Sequence, residues 1–436
     1  MEQTLGGAPV SGISPSEEDR IYRKVGMRLI PFLVLCYVVA YLDRVNVGFA
    51  KLQMLQDLHL SEAVYGLGAG IFFIGYFIFE VPSNLILHKV GAKIWIARIM
   101  ITWGLVSAAM MFTNSETTFY VLRFLLGAAE AGFFPGIILY LTYWYPNARR
   151  GRMTTMFMVA IPLSGLVGGP LSGWILSAFS NGAAGLAGWQ WLYLIEGIPS
   201  VVVGIWVLFF LDDKIHKAKW LTDGEKAVLT RNIEAEEQVK EDPPISAAMA
   251  LPRVWMMALT YFAFVMGLYG VGFWLPTIIK SIGVSNPLQI GLLSAIPNLF
   301  AIGGMILISR SSDRLRERRW HLFIPAFIAA LGLVWSTQAS GVAAAMTALT
   351  IANIGICTVL PLFWSQPTAI LSGTAAAAGI ALINSVGNLA GFASPYLVGW
   401  LKESTGTTNS GMYLLAISLV IGGLIALSQP AKLVNK

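Results

Sequence analysis

Four ionisable side chains, Asp43, Arg44, Arg123 and Glu130, fall within stretches that otherwise have the composition of lipid-spanning helix, and all four lie in the first half of the chain. At the centre of a bilayer each costs roughly 2.5 to 3.5 kcal/mol, so together they oppose insertion by about 10 kcal/mol unless paired or wetted. A buried path for a substrate or a proton is the usual compensation. Arg123 and Glu130 are seven apart, which puts them on one face of a helix. There they can neutralise each other while the path is empty, and a protonated Glu130 would release Arg123 to hold a substrate carboxylate. Burial favours the protonated form of a carboxyl and an adjacent guanidinium the ionised form, so a small rearrangement can load or unload a proton. A static ion pair that ties spans together is the simpler alternative. Asp43 and Arg44 are helix neighbours about 100° apart, so one can face a cavity while the other faces a packed interface.

Glu80 and Glu196 lie nearer the ends of spans and read as structural, with Glu80 in reach of loop arginines such as Arg149 or Arg150. The second half has no ionisable side chain deep in a span but holds Asn298, Asn353, Trp364, Ser365, Gln366, Asn384 and Asn388. Protons are therefore expected to move in the first half, while the second offers hydrogen bonds and aromatic surface to the hydroxyls or ring of a small acid. No phosphate-cradling glycine loop appears, so ATP-driven transport and enzyme chemistry are not expected, and a gradient must supply the energy. The histidines and Cys36 and Cys357 lack ligand spacing, so no metal, cofactor or disulfide is expected.

The elements that position these residues are membrane helices. Of 436 residues, 56% are hydrophobic and 12% charged, against about 25% charged in soluble domains, and the mean hydropathy is +0.68. Twelve apolar runs are long enough to cross about 30 Å of hydrocarbon, at roughly 27–49, 63–87, 94–113, 118–142, 153–178, 190–211, 252–280, 288–309, 321–339, 342–366, 374–401 and 411–428. A charged stretch from about 212 to 250, ending in Pro243 and Pro244, divides them six and six. The expected organisation is an N-terminal tail over 1–26, a six-helix bundle over 27–211, a central loop over 212–250, a second bundle over 251–428 and a C-terminal tail over 429–436. Basic residues crowd the loops on the side of the termini, whereas the opposite loops carry only Lys51, Lys280 and Lys402. The positive-inside rule then makes both termini cytoplasmic and explains the net charge of +6 without a nucleic-acid partner. The polar, acid-containing start lacks a cleaved signal, and a bacterial cytoplasmic membrane is expected.

The halves echo each other: NLILHKVGAK at 84–93 and SRSSDRLRERR at 309–319 are both basic tight loops after the second span of a half, as a parallel duplication would leave. With YLDRVNVGFA at 41–50, RFLLGAAEAGFFPGIILYLTYWYP at 123–146, GWQWLYLIEGIPS at 188–200 and FWSQPTAILSGTAAAAGIALINSVGNLAGF at 363–392, the chain resembles the major facilitator superfamily. More narrowly it is similar to the anion and cation symporter branch of bacterial tartrate, phthalate, hydroxyphenylacetate and galactonate permeases. The resemblance implies that Asp43 and Glu130 are the protonatable groups and that Arg44 and Arg123 serve the substrate. It also implies that Tyr41, Tyr76, Trp364 and Asn384 stand at a central cavity. A glutamine of the family's fifth span has no counterpart, and Ser164 is the nearest polar candidate. The basic loops, with Lys89, Gly91, Asp313 and Arg314, correspond to the family's gating signature, although Asn84, His88 and Ser309 depart from it. Gly165, Gly169, Pro170 and Gly173 resemble a run found in drug antiporters of the superfamily and also suit close helix packing.

The expectation is an all-α integral membrane protein of twelve helices in two six-helix bundles, working by alternating access. Its expected function is proton-coupled uptake of a small hydroxylated or aromatic carboxylate by a monomer, with sodium as an alternative coupling ion. An exchanger or exporter without proton coupling and a carboxylate sensor that transports nothing are the alternatives.

Overall fold

The computed structural model describes residues 14–237, 251–370 and 373–435. The first thirteen residues and Pro243 and Pro244 of the expected central loop lie outside them. Eleven helices are long and apolar enough to cross a membrane, and in chain order with Gly373–Thr405 they make twelve spans. The first six are Ser16–Asp57, Glu62–Leu87, Ala92–Phe112, Glu116–Thr142, Arg149–Ala178 and Gly188–Phe210. The remainder are Pro252–Ser281, Pro287–Leu315, Arg319–Gln338, Val342–Pro367, Gly373–Thr405 as the eleventh, and Asn409–Ser428.

Local chemistry sets several starts. Ser61 accepts from the Val64 amide at 3.2 Å, Ser115 and Thr118 cap the fourth span reciprocally, and Asn286 caps the eighth ahead of Pro287. Large apolar side chains such as Phe112, Phe209 and Leu307 point outward unburied, as a lipid-facing surface requires.

One span is interrupted: the fourth leaves helical geometry at Ala131 and Gly132. The first, fifth and tenth stay helical through local irregularities at Asn46, Val159 and Trp364. At Gly132 the backbone is left-handed (φ +85°), and an added Cβ would sit 2.3 Å from Ser83 Oγ, so only glycine fits. Part of the expected central loop is also ordered: Asp223–Glu237 is a helix, anchored by Lys24 to Glu225 at 2.7 Å and by Trp220 stacked on Trp144.

Glycines join the halves. Gly66 and Gly70 of the second span meet the backbone of the eleventh at Pro395 and Phe392, and Gly169 and Gly173 of the fifth meet Gly291 and Pro287 of the eighth. An added Cβ at any of these four would lie 2.4–2.8 Å from a facing carbonyl oxygen. The antiporter-like run of the fifth span is thus used for packing. All these contacts lie in the parts of the helices away from the termini.

At that same end, Lys51, Lys280 and Lys402 converge instead of remaining in solvent. Lys51 is buried, 2.5 Å from Glu62 and 3.4 Å above the Trp274 ring. Lys402 pairs with the same carboxylate, and Lys280 donates to the Leu52 carbonyl at 3.3 Å. The face opposite the termini is therefore sealed by contacts between the two halves.

Candidate functional site

Arg44 lies two residues before Asn46 in the first span and is 5% exposed. One Nη donates to the Tyr269 hydroxyl of the seventh span at 2.7 Å; the other is ion-paired with Glu130. The guanidinium also lies 5.4–5.6 Å from the rings of Tyr41, Phe72 and Tyr76. Glu130 is the last residue of its helical segment before the Ala131–Gly132 break, where a helix end favours a neighbouring cation. Arg44 thus links the first, fourth and seventh spans and touches both halves.

Arg44 faces a chamber of about 30 Å³ whose other polar walls are Tyr37, Tyr76, Tyr261, Tyr269, Asn384 and Asn388. Among the described residues it is the one charged side chain on that wall. Asn384 donates to Glu80 at 3.0 Å, which ties the eleventh span to the second. Glu80 is buried, and its second oxygen has no partner. It does not meet the loop arginines: Arg149 pairs with Glu18 and Asp19 at the start of the first span.

Asp43, next in sequence, points away. It is fully buried among the first, third and sixth spans, accepting from Trp103 Nε1 at 3.0 Å, Ser107 Oγ at 2.8 Å and Ser200 Oγ. Cavity and packed interface are divided between the two neighbours as their 100° separation allows, with Arg44 on the cavity side.

Arg123 differs from expectation. Its guanidinium donates to the carbonyls of Gly68 and Ala69 at 3.2 Å each and makes no pair with Glu130. The cause is the close approach of the fourth span to the second: a Cβ on Gly127 would lie 1.9 Å from the Phe72 carbonyl. This brings main-chain acceptors nearer to Arg123 than the carboxylate two turns along its own helix.

The remaining expected site residues divide. Tyr76 and Asn384 line the Arg44 chamber, while Tyr41 and Ser164 line a second cavity next to it. Trp364 stands behind the chamber, edge-on to Tyr261 at 4.9 Å. At the basic loops, Gly91 (φ +101°) turns the chain over Asp213, which accepts from the Lys93 amide at 2.9 Å. Asp313 pairs with Arg318 at 2.6 Å inside its own loop, and Lys89 and Arg314 are exposed. Asp213, grouped only with the central loop by sequence, is the residue that holds the first basic turn.

The Major Facilitator Superfamily profile matches residues 33–395. This chain belongs to the major facilitator superfamily. It is 52% identical over 412 residues, 94% of each chain, to an Agrobacterium vitis protein named for tartrate transport. It is 44% identical to a quinolone resistance transporter of Acinetobacter baumannii, covering 95% of this chain and 96% of that one. A crystal structure of a D-xylose-proton symporter has the same fold, with a TM-score of 0.71 over 94% of this chain and 99% of that one at 16% identity. The superfamily member is a multi-pass membrane transporter and not an enzyme.

Proposed function

We propose that this transporter takes up a small organic anion, a hydroxylated carboxylate, together with protons. The observation that carries this reading is Arg44, on the wall of a central chamber lined from both halves and ion-paired behind that wall with Glu130. A buried guanidinium needs a counter-charge, and two can supply it in turn: ionised Glu130 while the chamber is empty, and the substrate carboxylate once it is loaded. Because one cation cannot fully compensate two buried anions, substrate binding drives a proton onto Glu130. Asp43, held by three donors beside Arg44, is the second carboxylate able to carry a proton. Arg123 acts by holding the second and fourth spans together and not by touching substrate.

Alternating access follows from rocking of the two bundles about the chamber. The sealed end, where Glu62 gathers Lys51 and Lys402, must open to admit substrate. The basic loops support a cytoplasmic orientation of the opposite end, in a bacterial cell.

The test is uptake of labelled tartrate, galactonate, phthalate and hydroxyphenylacetate into liposomes, with an imposed inward proton gradient and without one. Gradient-dependent accumulation of a hydroxylated acid is expected. Flux that only equilibrates would overturn the coupling. The similarity to a quinolone resistance transporter favours a second reading, export, in which the same gradient would drive a cationic or zwitterionic drug out of the lumen while no acid accumulates.

A further inference from the structure

Beyond the Arg44 chamber, toward the sealed end, lies a second and larger cavity of about 60 Å³. The two share the side chains of Ile161 and Leu268, and the stacked rings of Tyr41 and Tyr269, 6.5 Å apart, stand between them. No charged side chain lines the larger cavity among the described residues. Its polar wall comes from four spans in both halves: Asn46 on the first, Ser164 and Ser172 on the fifth, Asn298 and Ser294 on the eighth and Asn353 on the tenth.

The hydrogen-bonding state of this wall is specific. Each serine has already spent its one proton: Ser164 on the Ile161 carbonyl at 2.7 Å, Ser172 on Glu196 at 2.6 Å and Ser294 on the Ile290 carbonyl at 2.8 Å. What they retain is acceptor capacity. Asn298 donates to the Ser294 carbonyl at 2.9 Å and accepts from Asn353 at 3.3 Å. Asn46 is 1% exposed; its amide faces the buried Glu196 carboxylate, toward which the amide nitrogen can donate, and its amide oxygen has no donor. A buried amide oxygen left without a donor costs free energy that a ligand can recover.

A ligand that fits must donate to hydroxyl and amide oxygens and accept from an amide. A hydroxyl group does both, whereas a carboxylate only accepts and an aromatic ring does neither. The apolar side chains of Leu42, Val45 and Phe49 on the same wall suit the C–H faces between hydroxyls. We infer that this cavity is a hydroxyl subsite: Asn46, with Asn298 and Asn353, hydrogen-bonds the hydroxyl-bearing part of a carboxylate whose anionic end is held at Arg44. The subsite deepens the carboxylate-uptake reading and rests on it. It makes the transporter select hydroxylated acids over the same skeletons without hydroxyls, because removing a ligand hydroxyl leaves buried partners unpaired.

Two matched pairs test this on the full-length protein in liposomes: tartrate against succinate, and gluconate against hexanoate, each read as the concentration that halves uptake of the labelled acid found in the transport assay. The wild-type protein is expected to prefer the hydroxylated member of at least one pair by tenfold or more. Asn46→Leu and, independently, Asn353→Leu should reduce that preference to threefold or less, chiefly by weakening the hydroxylated member. Two substitutions on different spans guard against a folding defect in one, with monodispersity of each purified variant as the control. Equal weakening of both members in both variants would overturn the subsite and leave the asparagines structural. Absence of any preference in the wild type would overturn it as well. Failure of every acid to bind would overturn the carboxylate reading itself and the subsite with it.

Discussion

Replacing Glu130 by Gln keeps the shape of the side chain and one hydrogen bond to Arg44 but removes the charge that holds the guanidinium. At about 4 Å and an effective dielectric of about 20 the charge–charge attraction is about 4 kcal/mol, and a neutral hydrogen bond retains about 0.5–1.5 kcal/mol of it. A substrate carboxylate arriving at Arg44 therefore displaces a partner weaker by about 2.5 to 3.5 kcal/mol, which corresponds to roughly 60- to 300-fold tighter binding. The gain applies where Glu130 is ionised in the wild type. Toward acid pH the wild-type carboxyl is itself protonated and the two proteins converge. The assay is equilibrium binding of the transported acid to purified wild-type and E130Q protein at pH 8 and pH 5.5. E130Q should bind more tightly at pH 8 and show little dependence on pH, although it should fail to accumulate substrate. Weaker binding by E130Q at pH 8, or an unchanged pH slope, would refute the exchange of counter-charges at Arg44.

Gly127→Ala places a methyl group against the Phe72 carbonyl and should destabilise the N-terminal bundle by about 1 to 3 kcal/mol, read as a lower thermal midpoint in detergent. Glu62→Gln leaves buried Lys51 and Lys402 sharing an uncharged partner, which should open the sealed end; spin labels at His59 and Thr405 should then report a longer distance, and the buried Cys36 and Cys357 should not compete for label. Glu317 sits outside the spans, where burial pushes its carboxyl up, but hydrogen bonds from His321, Asn435 and the Trp320 and His321 amides outweigh that and hold it below the usual carboxylate range. A depressed folded-state value means the stabilisation is present above the unfolded carboxyl's own range and is lost as pH falls through the folded value. Glu317→Ala should therefore lower stability by about 0.5 to 2 kcal/mol at neutral pH, as for a lost helix cap, with the difference from wild type shrinking in acid.

The spans and the division of labour between Asp43 and Arg44 were legible because both depend on local quantities, the length of an apolar run and the angle between helix neighbours. The partner of Glu130 was not. A seven-residue spacing gives a shared face, but the chain breaks at Gly132 and the close approach at Gly127 decide which acceptor each guanidinium reaches, and both are set by tertiary packing. Glu80 was undervalued for the same reason: its partner Asn384 is 304 residues away and on the other half. The convergence of Lys51 and Lys402 on Glu62 likewise appears only when the first, second and eleventh spans are brought together at one end. Asn46 carried a weak signal, a polar residue beside the Asp43–Arg44 pair, that becomes meaningful only once the cavity it lines is seen.

The central claim is that substrate and proton share one step at Arg44 and Glu130. Its most direct test is the internal pH of liposomes holding the wild-type protein when an inward gradient of the transported acid is applied with no pH gradient. The account predicts lumenal acidification that follows substrate entry and is lost in E130Q while substrate exchange persists. Substrate entry by the wild type without a change in lumenal pH, or acidification of equal size in E130Q, would contradict it.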